Sequence, residues 1–99
     1  MQGYNEEAAE LAKKAVKRLN VSKLAIEYLY HRDQYDSDEK RFSDQVEKGW
    51  NKLSKHQKDV MYYHLVQGMS FTLIADIEGV SPQAVFQTWK RACKWFKFG

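Results

Sequence analysis

Amide and basic side chains recur near the end of this chain, as Gln83, Gln87, Lys90, Arg91 and Lys94. A glutamine amide can donate and accept one hydrogen bond each, which matches the edge of adenine in a duplex major groove. Lysine and arginine pair with guanine or with backbone phosphate. These residue types in this order predict base contacts from the glutamines and phosphate contacts from the basic residues that follow them.

The charge of the chain is divided unevenly along its length. Residues 1–50 contain 9 Lys and Arg against 10 Asp and Glu, whereas residues 51–99 contain 7 against 3. No acid follows Glu78, while four basic residues do: Lys90, Arg91, Lys94 and Lys97. A basic end is typical of a surface that neutralises phosphates. Lysines also favour the negative end of a helix dipole, so charge alone leaves both interpretations open.

Two short helices joined by a glycine can position these side chains. Ser70 can cap a helix over Phe71 to Glu78, and Ser81 can cap another from Pro82 to about Phe98. Gly79 between them tolerates the left-handed conformation that a tight turn needs. The spacing therefore predicts a helix-turn-helix.

Apolar residues beside these caps support the same arrangement. Met69 can pack on Ile74, and Val80 can pack on Val85, as hydrophobic staples. Ala75 is small enough to let the two helices approach closely. The second helix carries a stripe at 4,3,4 spacing that we expect to be buried, formed by Val85, Trp89, Ala92 and Phe96.

The N-terminal half predicts two or three further helices. Apolar residues at helical spacing indicate one helix from Asn5 to Leu19, and Ser22 can cap a second that runs to about His31. Residues 33–47 hold 6 acids against 2 bases, which indicates a polar linker or, alternatively, an acidic contact surface for a basic protein. Within it, Ser37 can cap a helix that continues through Trp50.

The helix before the predicted helix-turn-helix has clear ends. Ser54 and Gln57 have the spacing of a capping box, and Gly68 is placed to end the helix that follows. The single proline and the abundance of Ala, Leu, Lys, Glu and Gln favour an all-α chain.

Other chemistry has little support in the sequence. His56 and His64 are eight residues apart on one predicted helix, too far for a metal pair, and no set of Cys and His has zinc spacing. Cys93 lies beside the apolar stripe, where we interpret it as a small apolar filler. We expect no enzyme, no metal and no cofactor. The chain also lacks a membrane span, and its one cysteine favours a cytoplasmic location.

Four stretches carry a resemblance to a known family. They are Leu53-Ser-Lys-His-Gln-Lys-Asp-Val60, Gly68-Met-Ser-Phe-Thr-Leu-Ile-Ala75, Gly79-Val-Ser-Pro-Gln-Ala-Val85 and Arg91-Ala92. Together they resemble region 4 of sigma-70-type RNA polymerase sigma factors, especially the sigma-like transcriptional regulators of phages and prophages. The resemblance covers about residues 46–98, half of the chain.

The resemblance implies a set of DNA contacts and two partners. In that family the helix matching residues 82–98 enters the major groove of duplex DNA, and RNA polymerase is the protein partner. The matching contact positions are Ser81, Gln83, Ala84, Phe86, Gln87 and Lys90, with Arg91 and Lys94 nearer the backbone. The start of the preceding helix, Ser70 to Thr72, would face phosphate.

Two positions depart from the family pattern. Glu78 stands where the family usually has leucine, and we expect Ile77 to fill that core space. Phe86 stands where a basic or polar contact residue is common, so it can touch a thymine methyl group or pack against another protein chain. No sigma region 2 is recognisable in residues 1–45, which argues against a complete sigma factor.

The sequence thus predicts a small all-α domain with two parts. Residues 1–45 would form N-terminal helices and the acidic linker, and residues 46–99 the helix-turn-helix domain. The predicted function is sequence-specific duplex DNA binding in transcription regulation. The alternatives are a protein-interaction module that engages RNA polymerase or another regulator, and a helix-turn-helix protein of phage DNA packaging. Trp95 and Phe98 could cover the N-terminal helices or form the surface of a homodimer.

Overall fold

The computed structural model describes residues 19–98 and is mostly helical. The elements are β1 (Leu19–Val21), α1 (Lys23–Gln34), α2 (Asp44–Asn51), α3 (Lys55–Met61), a π-helical segment (Tyr62–Val66), α4 (Phe71–Glu78), α5 (Pro82–Ala92) and β2 (Phe96–Phe98). The helical class is therefore confirmed in its coarse form. The helix predicted from Asn5 lies outside the described residues, except that its last residue, Leu19, begins β1 instead.

Serine caps fix the starts of most of these helices. The hydroxyl groups of Ser22, Ser54, Ser70 and Ser81 each accept a hydrogen bond from the backbone N–H three residues later, at 3.2 to 3.3 Å. The Ser54 cap is reciprocal, because the Gln57 side chain accepts the Ser54 N–H at 2.8 Å. Each of these four predicted caps is confirmed.

The cap predicted at Ser37 is wrong. Helix α2 begins after Ser43, whose hydroxyl accepts the Val46 N–H at 3.4 Å. The Ser37 hydroxyl instead accepts the Glu39 N–H in a local turn. Both serines are followed by acids that suit the helix dipole, but the turn after Ser43 brings Val46 and Trp50 against the core, whereas residues 38–41 after Ser37 are all charged.

The last predicted helix is too long, because α5 ends at Ala92 and the chain turns into a strand. Strand β2 pairs in parallel with β1, placing Phe96 opposite Leu19 and Lys97 opposite Asn20. Phe96 is buried as predicted, but it is buried from a strand and not from the helix. The pairing joins segments that are far apart in sequence, so no local signal announces it.

Two clusters of buried side chains hold the elements together. The large core contains residues from both predicted parts of the chain: Val21, Ala25, Ile26, Leu29, Trp50, Leu53, Met61, Ala92 and Phe96. The small core lies between α3, α4 and α5 and contains Val60, Ile74, Ala75 and Val85. Trp89, half-buried on α5, packs against both cores and so joins them.

Polar contacts reinforce the side of the molecule that holds the large core. The Arg32 guanidinium contacts both carboxylate oxygens of Glu47, at 2.8 and 2.6 Å, and both side chains are buried. Asp33 accepts hydrogen bonds from the Trp50 indole at 2.8 Å and from Lys58 at 2.7 Å. Two acids of the predicted acidic linker are thus engaged within the fold.

The π-helical segment continues α3 towards α4. Its first residue, Tyr62, stacks on Tyr30 of α1 with ring centroids 4.1 Å apart. Burial, together with a 2.9 Å hydrogen bond from the hydroxyl to Asp59, raises the pKa of Tyr30 above its usual range. His64 in the same segment contacts Phe71 and Trp89 on the side of the small core.

Candidate nucleic-acid interface

A tight turn sets α5 against α4. Gly79 adopts a left-handed conformation with φ of 70°, and the Val80 N–H reaches back to the Ala75 carbonyl at 3.0 Å. Ser81 then caps α5, with Pro82 in its first turn. Ala75 is buried in the small core beside Val85, as its small size predicted. The turn therefore brings two short helices together over one compact apolar contact.

Helix α5 divides into a buried face and an exposed face. Val85 and Ala92 are fully buried, and Trp89 is half-buried between the cores. Gln83, Gln87 and Lys90 follow i, i+4, i+7 spacing and form an exposed stripe. All ten residues predicted to contact DNA are exposed: Ser70, Thr72, Ser81, Gln83, Ala84, Phe86, Gln87, Lys90, Arg91 and Lys94.

An open groove runs from this stripe to the end of the described chain. It has a volume of about 530 Å³. The residues that line it are Gln87, Lys90, Arg91, Cys93, Lys94, Phe96 and Lys97. Four of them carry a positive charge and none is acidic. The groove therefore has the charge and the donors to receive an anion. We call it the basic groove.

Phe86 is anchored on one side and open on the other. Its ring contacts Phe71 edge to face with centroids 5.8 Å apart, yet 43% of the residue remains exposed. Phe71 is supported in turn by His64, which stacks on it at 4.4 Å and lies with Nδ1 2.8 Å from the Met69 carbonyl oxygen. This contact ties the start of α4 to the π-helical segment. No feature of the sequence indicated this role for His64.

The expectation that Ile77 fills a core position is wrong. Ile77 is 52% exposed. The buried face of α4 is centred between Ile74 and Ala75. Because successive side chains of a helix are rotated by about 100°, the Ile77 side chain points away from that face. Leu73, one turn earlier, is also exposed, at 46%. Val80, in the turn after α4, is 41% exposed. Leu73 and Ile77 lie one turn apart on α4 and Val80 lies in the turn that follows it. We call these three residues the exposed apolar stripe.

Other kinds of site receive no support from the described part of the chain. Among residues 19–98, no group of three His, Cys, Asp or Glu side chains could hold a metal ion. No helix in this range combines the length and apolar character needed to cross a membrane. Cys93 is half-buried and lines the basic groove. Trp95 packs on the large core, where the Lys52 ammonium lies 4.6 Å from its ring centroid.

Comparison with known proteins found no matching family model, no matching curated protein and no matching solved structure.

Proposed function

We propose that residues 46–98 form a sigma region 4-like helix-turn-helix that binds duplex DNA in a sequence-specific manner and acts in transcription regulation. The observation that supports this most strongly is the division of α5, which buries Val85 and Ala92 while its polar and basic residues stay exposed. A helix with one buried face and one exposed hydrogen-bonding face is what major-groove reading requires.

The dimensions of α5 suit this role. It has 11 residues, which corresponds to about 16 Å of helix. Gln83 and Gln87 lie one turn apart and would read base edges, whereas Lys90, Arg91 and Lys94 lie further along and would contact phosphates. Ser70 and Thr72 at the start of α4 would contact a phosphate of the adjoining backbone, where the free N–H groups of the first turn favour an anion.

Phe86 would add an apolar contact. Its exposed edge lies beside the stripe of Gln83 and Gln87, and a thymine methyl group is the apolar feature of the major groove. The contact with Phe71 holds the ring in place, so little side-chain entropy would be lost on binding.

A second candidate function is a protein-interaction module that engages RNA polymerase or another regulator with little DNA binding. The observation that favours it is the exposed apolar stripe of Leu73, Ile77 and Val80. Neighbouring exposed apolar residues often mark a protein contact. This stripe lies on α4 and in the turn after it and leaves the polar face of α5 free, so the two functions are compatible.

Selection of bound duplexes from a random pool, repeated across a salt series, tests the proposal. We expect a recurring sequence motif. Gln87→Ala should then reduce discrimination between the selected motif and random DNA by about 1–3 kcal/mol, the typical value of a good base contact. Gln34→Ala, an exposed glutamine at the end of α1, is the matched control and should leave discrimination unchanged.

A basic-residue variant separates the two kinds of contact. Lys94→Ala should weaken binding to all sequences to a similar degree and flatten the salt dependence, while the selected motif stays the same. Retention that is only salt-sensitive, with no recovered motif, would contradict sequence-specific binding and favour the protein-interaction module.

A further inference from the structure

The basic groove extends beyond α5 to the strand that follows it. Gln87, Lys90 and Arg91 line it from α5, Lys94 from the turn after the helix, and Lys97 from β2. Lys97 is exposed while its neighbour Phe96 is buried, as the alternation of side chains along a strand requires. The groove is thus formed by α5 and β2 together, where the sequence predicted a single helix.

We propose that the basic groove seats a backbone phosphate of duplex DNA and that Lys97 is an additional phosphate contact. This inference rests on the proposed function, since it assigns a second anchoring element to the same DNA-binding surface. It goes beyond the contacts that the sequence resemblance implies, because Lys97 is not among those contact positions and lies on β2, outside α5.

Charge and continuity carry the assignment. Four positive side chains surround one open groove without an acid among the lining residues, so the potential inside it favours a phosphodiester over any neutral ligand. The groove begins at Gln87, which is also a proposed base-reading residue. A duplex seated on the stripe of α5 therefore brings its backbone along the groove towards Lys97.

The fold holds Lys97 in position from two sides. Strand β1 pairs alongside β2 with Asn20 opposite Lys97. On the inner side, the Phe96 ring sits so close to α2 that a Cβ atom on Gly49 would lie 3.1 Å from it. A lysine on a fixed strand loses less freedom on binding than one on a loose chain end, which strengthens its contact with phosphate.

The decisive measurement is the salt dependence of duplex affinity for Lys97→Gln, which removes the charge but keeps a long polar side chain. Loss of one phosphate contact should reduce the slope of log affinity against log salt by about 0.9 and weaken binding roughly five- to tenfold at 0.1 M salt. Fluorescence anisotropy with a labelled random-sequence duplex gives both values. Lys97→Arg should retain the wild-type slope.

Lys23→Gln is the matched control, because Lys23 is exposed at the start of α1 and does not line the groove. It should leave both slope and affinity unchanged. A thermal melt of each variant checks that the fold is intact. An unchanged slope for Lys97→Gln, with normal binding by the wild-type chain, would overturn the groove assignment and leave the proposed function standing.

Two further outcomes would also overturn the groove assignment. If the wild-type chain bound no duplex at all, the proposed function would fail and the groove assignment with it. Calorimetry with inorganic phosphate is the other arm. Phosphate binding that Lys97→Gln abolishes, combined with duplex binding that it leaves intact, would identify a site for a free anion and overturn the backbone assignment.

Discussion

The two cores of this molecule are built in opposite ways. The small core uses four apolar residues from the neighbouring helices α3, α4 and α5, and its geometry is set by the turn at Gly79. The large core joins segments from both ends of the described chain and is bordered by the Arg32–Glu47 ion pair and the β1–β2 pairing. Both cores are apolar, but one is local, whereas the other is long-range and has a buried ion pair at its border.

Because the two cores are built differently, the two regions have different roles. The small core needs only a few side chains from α4 and α5, which leaves most of the surface of both helices exposed for contacts with a partner. The large core fixes the rest of the chain around them and holds β2 beside the end of α5. We therefore expect variants of the large core to act mainly on stability, and variants of the α4–α5 turn to act on both stability and DNA affinity.

The largest effect should come from breaking the buried ion pair. Glu47→Gln leaves the buried Arg32 guanidinium with only the partly exposed Asp33 carboxylate, 3.7 Å away, as a counter-charge. Breaking a buried ion pair typically costs about 3–5 kcal/mol. Urea unfolding measures the change in the free energy of unfolding. Glu27→Gln, at an exposed position of α1, is the control and should change it by less than about 0.5 kcal/mol.

Replacing both partners sharpens this result. The double variant Arg32→Met with Glu47→Leu removes both charges and should recover most of the lost stability, because an apolar pair of similar volume needs no counter-charge. If the single variant lost less than about 1 kcal/mol, the ion pair would not be a principal constraint on the large core.

A smaller effect is expected at the turn beside the small core. A Cβ atom at residue 79 meets no neighbour within 4 Å, so the cost of Gly79→Ala comes from the positive φ alone. That cost is about 1–2 kcal/mol for an L-residue. Gly79→Asn should cost less, because asparagine tolerates this conformation better. Equal unfolding free energies for glycine and alanine would show that the turn is not fixed in the left-handed conformation.

The Gly79 variants also test the contrast between the two regions. When the variants and the wild-type chain are all measured in the folded state, Gly79→Ala should bind duplex DNA more weakly than the wild type, because the turn sets the angle between α4 and α5. Glu47→Gln should leave binding close to wild type below its unfolding temperature. A reversal of these two results would break the proposed separation of tasks.

The smallest effect should be seen at the close contact between α2 and β2. Gly49→Ala gains about 1 kcal/mol in helix propensity, but its Cβ atom would press on the buried Phe96 ring, and overpacking typically costs about 1–3 kcal/mol. We expect a net loss of roughly 1 kcal/mol in thermal unfolding. The same substitution in a Phe96→Leu background should be neutral or stabilising. A stabilising effect in the wild-type background would mean that β2 yields easily.

The parts of the fold that sequence could predict are those with local causes. The caps at Ser22, Ser54, Ser70 and Ser81 depend on a hydroxyl and a nearby N–H, and all four are present. The prediction for Ser37 was wrong because Ser43 offers the same capping chemistry and its helix brings Val46 and Trp50 to the large core. Two adjacent candidates of this kind can be separated only by what the helix then buries.

The candidate site likewise has one part with local causes, which sequence could predict, and one part without them. The exposure of the stripe on α5 follows from helical spacing around Val85 and Ala92. The basic groove does not, because it depends on the end of α5 and on a strand whose partner is β1, at the other end of the described chain. Lys97 was visible in the sequence as one of four late positive charges, but nothing local indicated that it would lie beside Lys94. The prediction that Ile77 fills a core position was wrong for a similar reason, since helical spacing alone does not say where the edge of a buried face lies.

The π-helical segment Tyr62–Val66 continues α3 towards α4, and it is also a place where a small mutation could change the geometry of the molecule. Such a segment usually contains one residue more than an α-helix of the same span, and that residue shifts the side chains after it by about 100°. Within the segment, Tyr62 faces α1 and His64 faces Phe71. Deleting a single residue here would restore α-helical phase and change the direction in which the chain reaches α4, so the contacts of α4 and α5 with Val60 of α3 would have to form again. A one-codon deletion could thus change the position of the proposed DNA-binding surface without altering any residue on it.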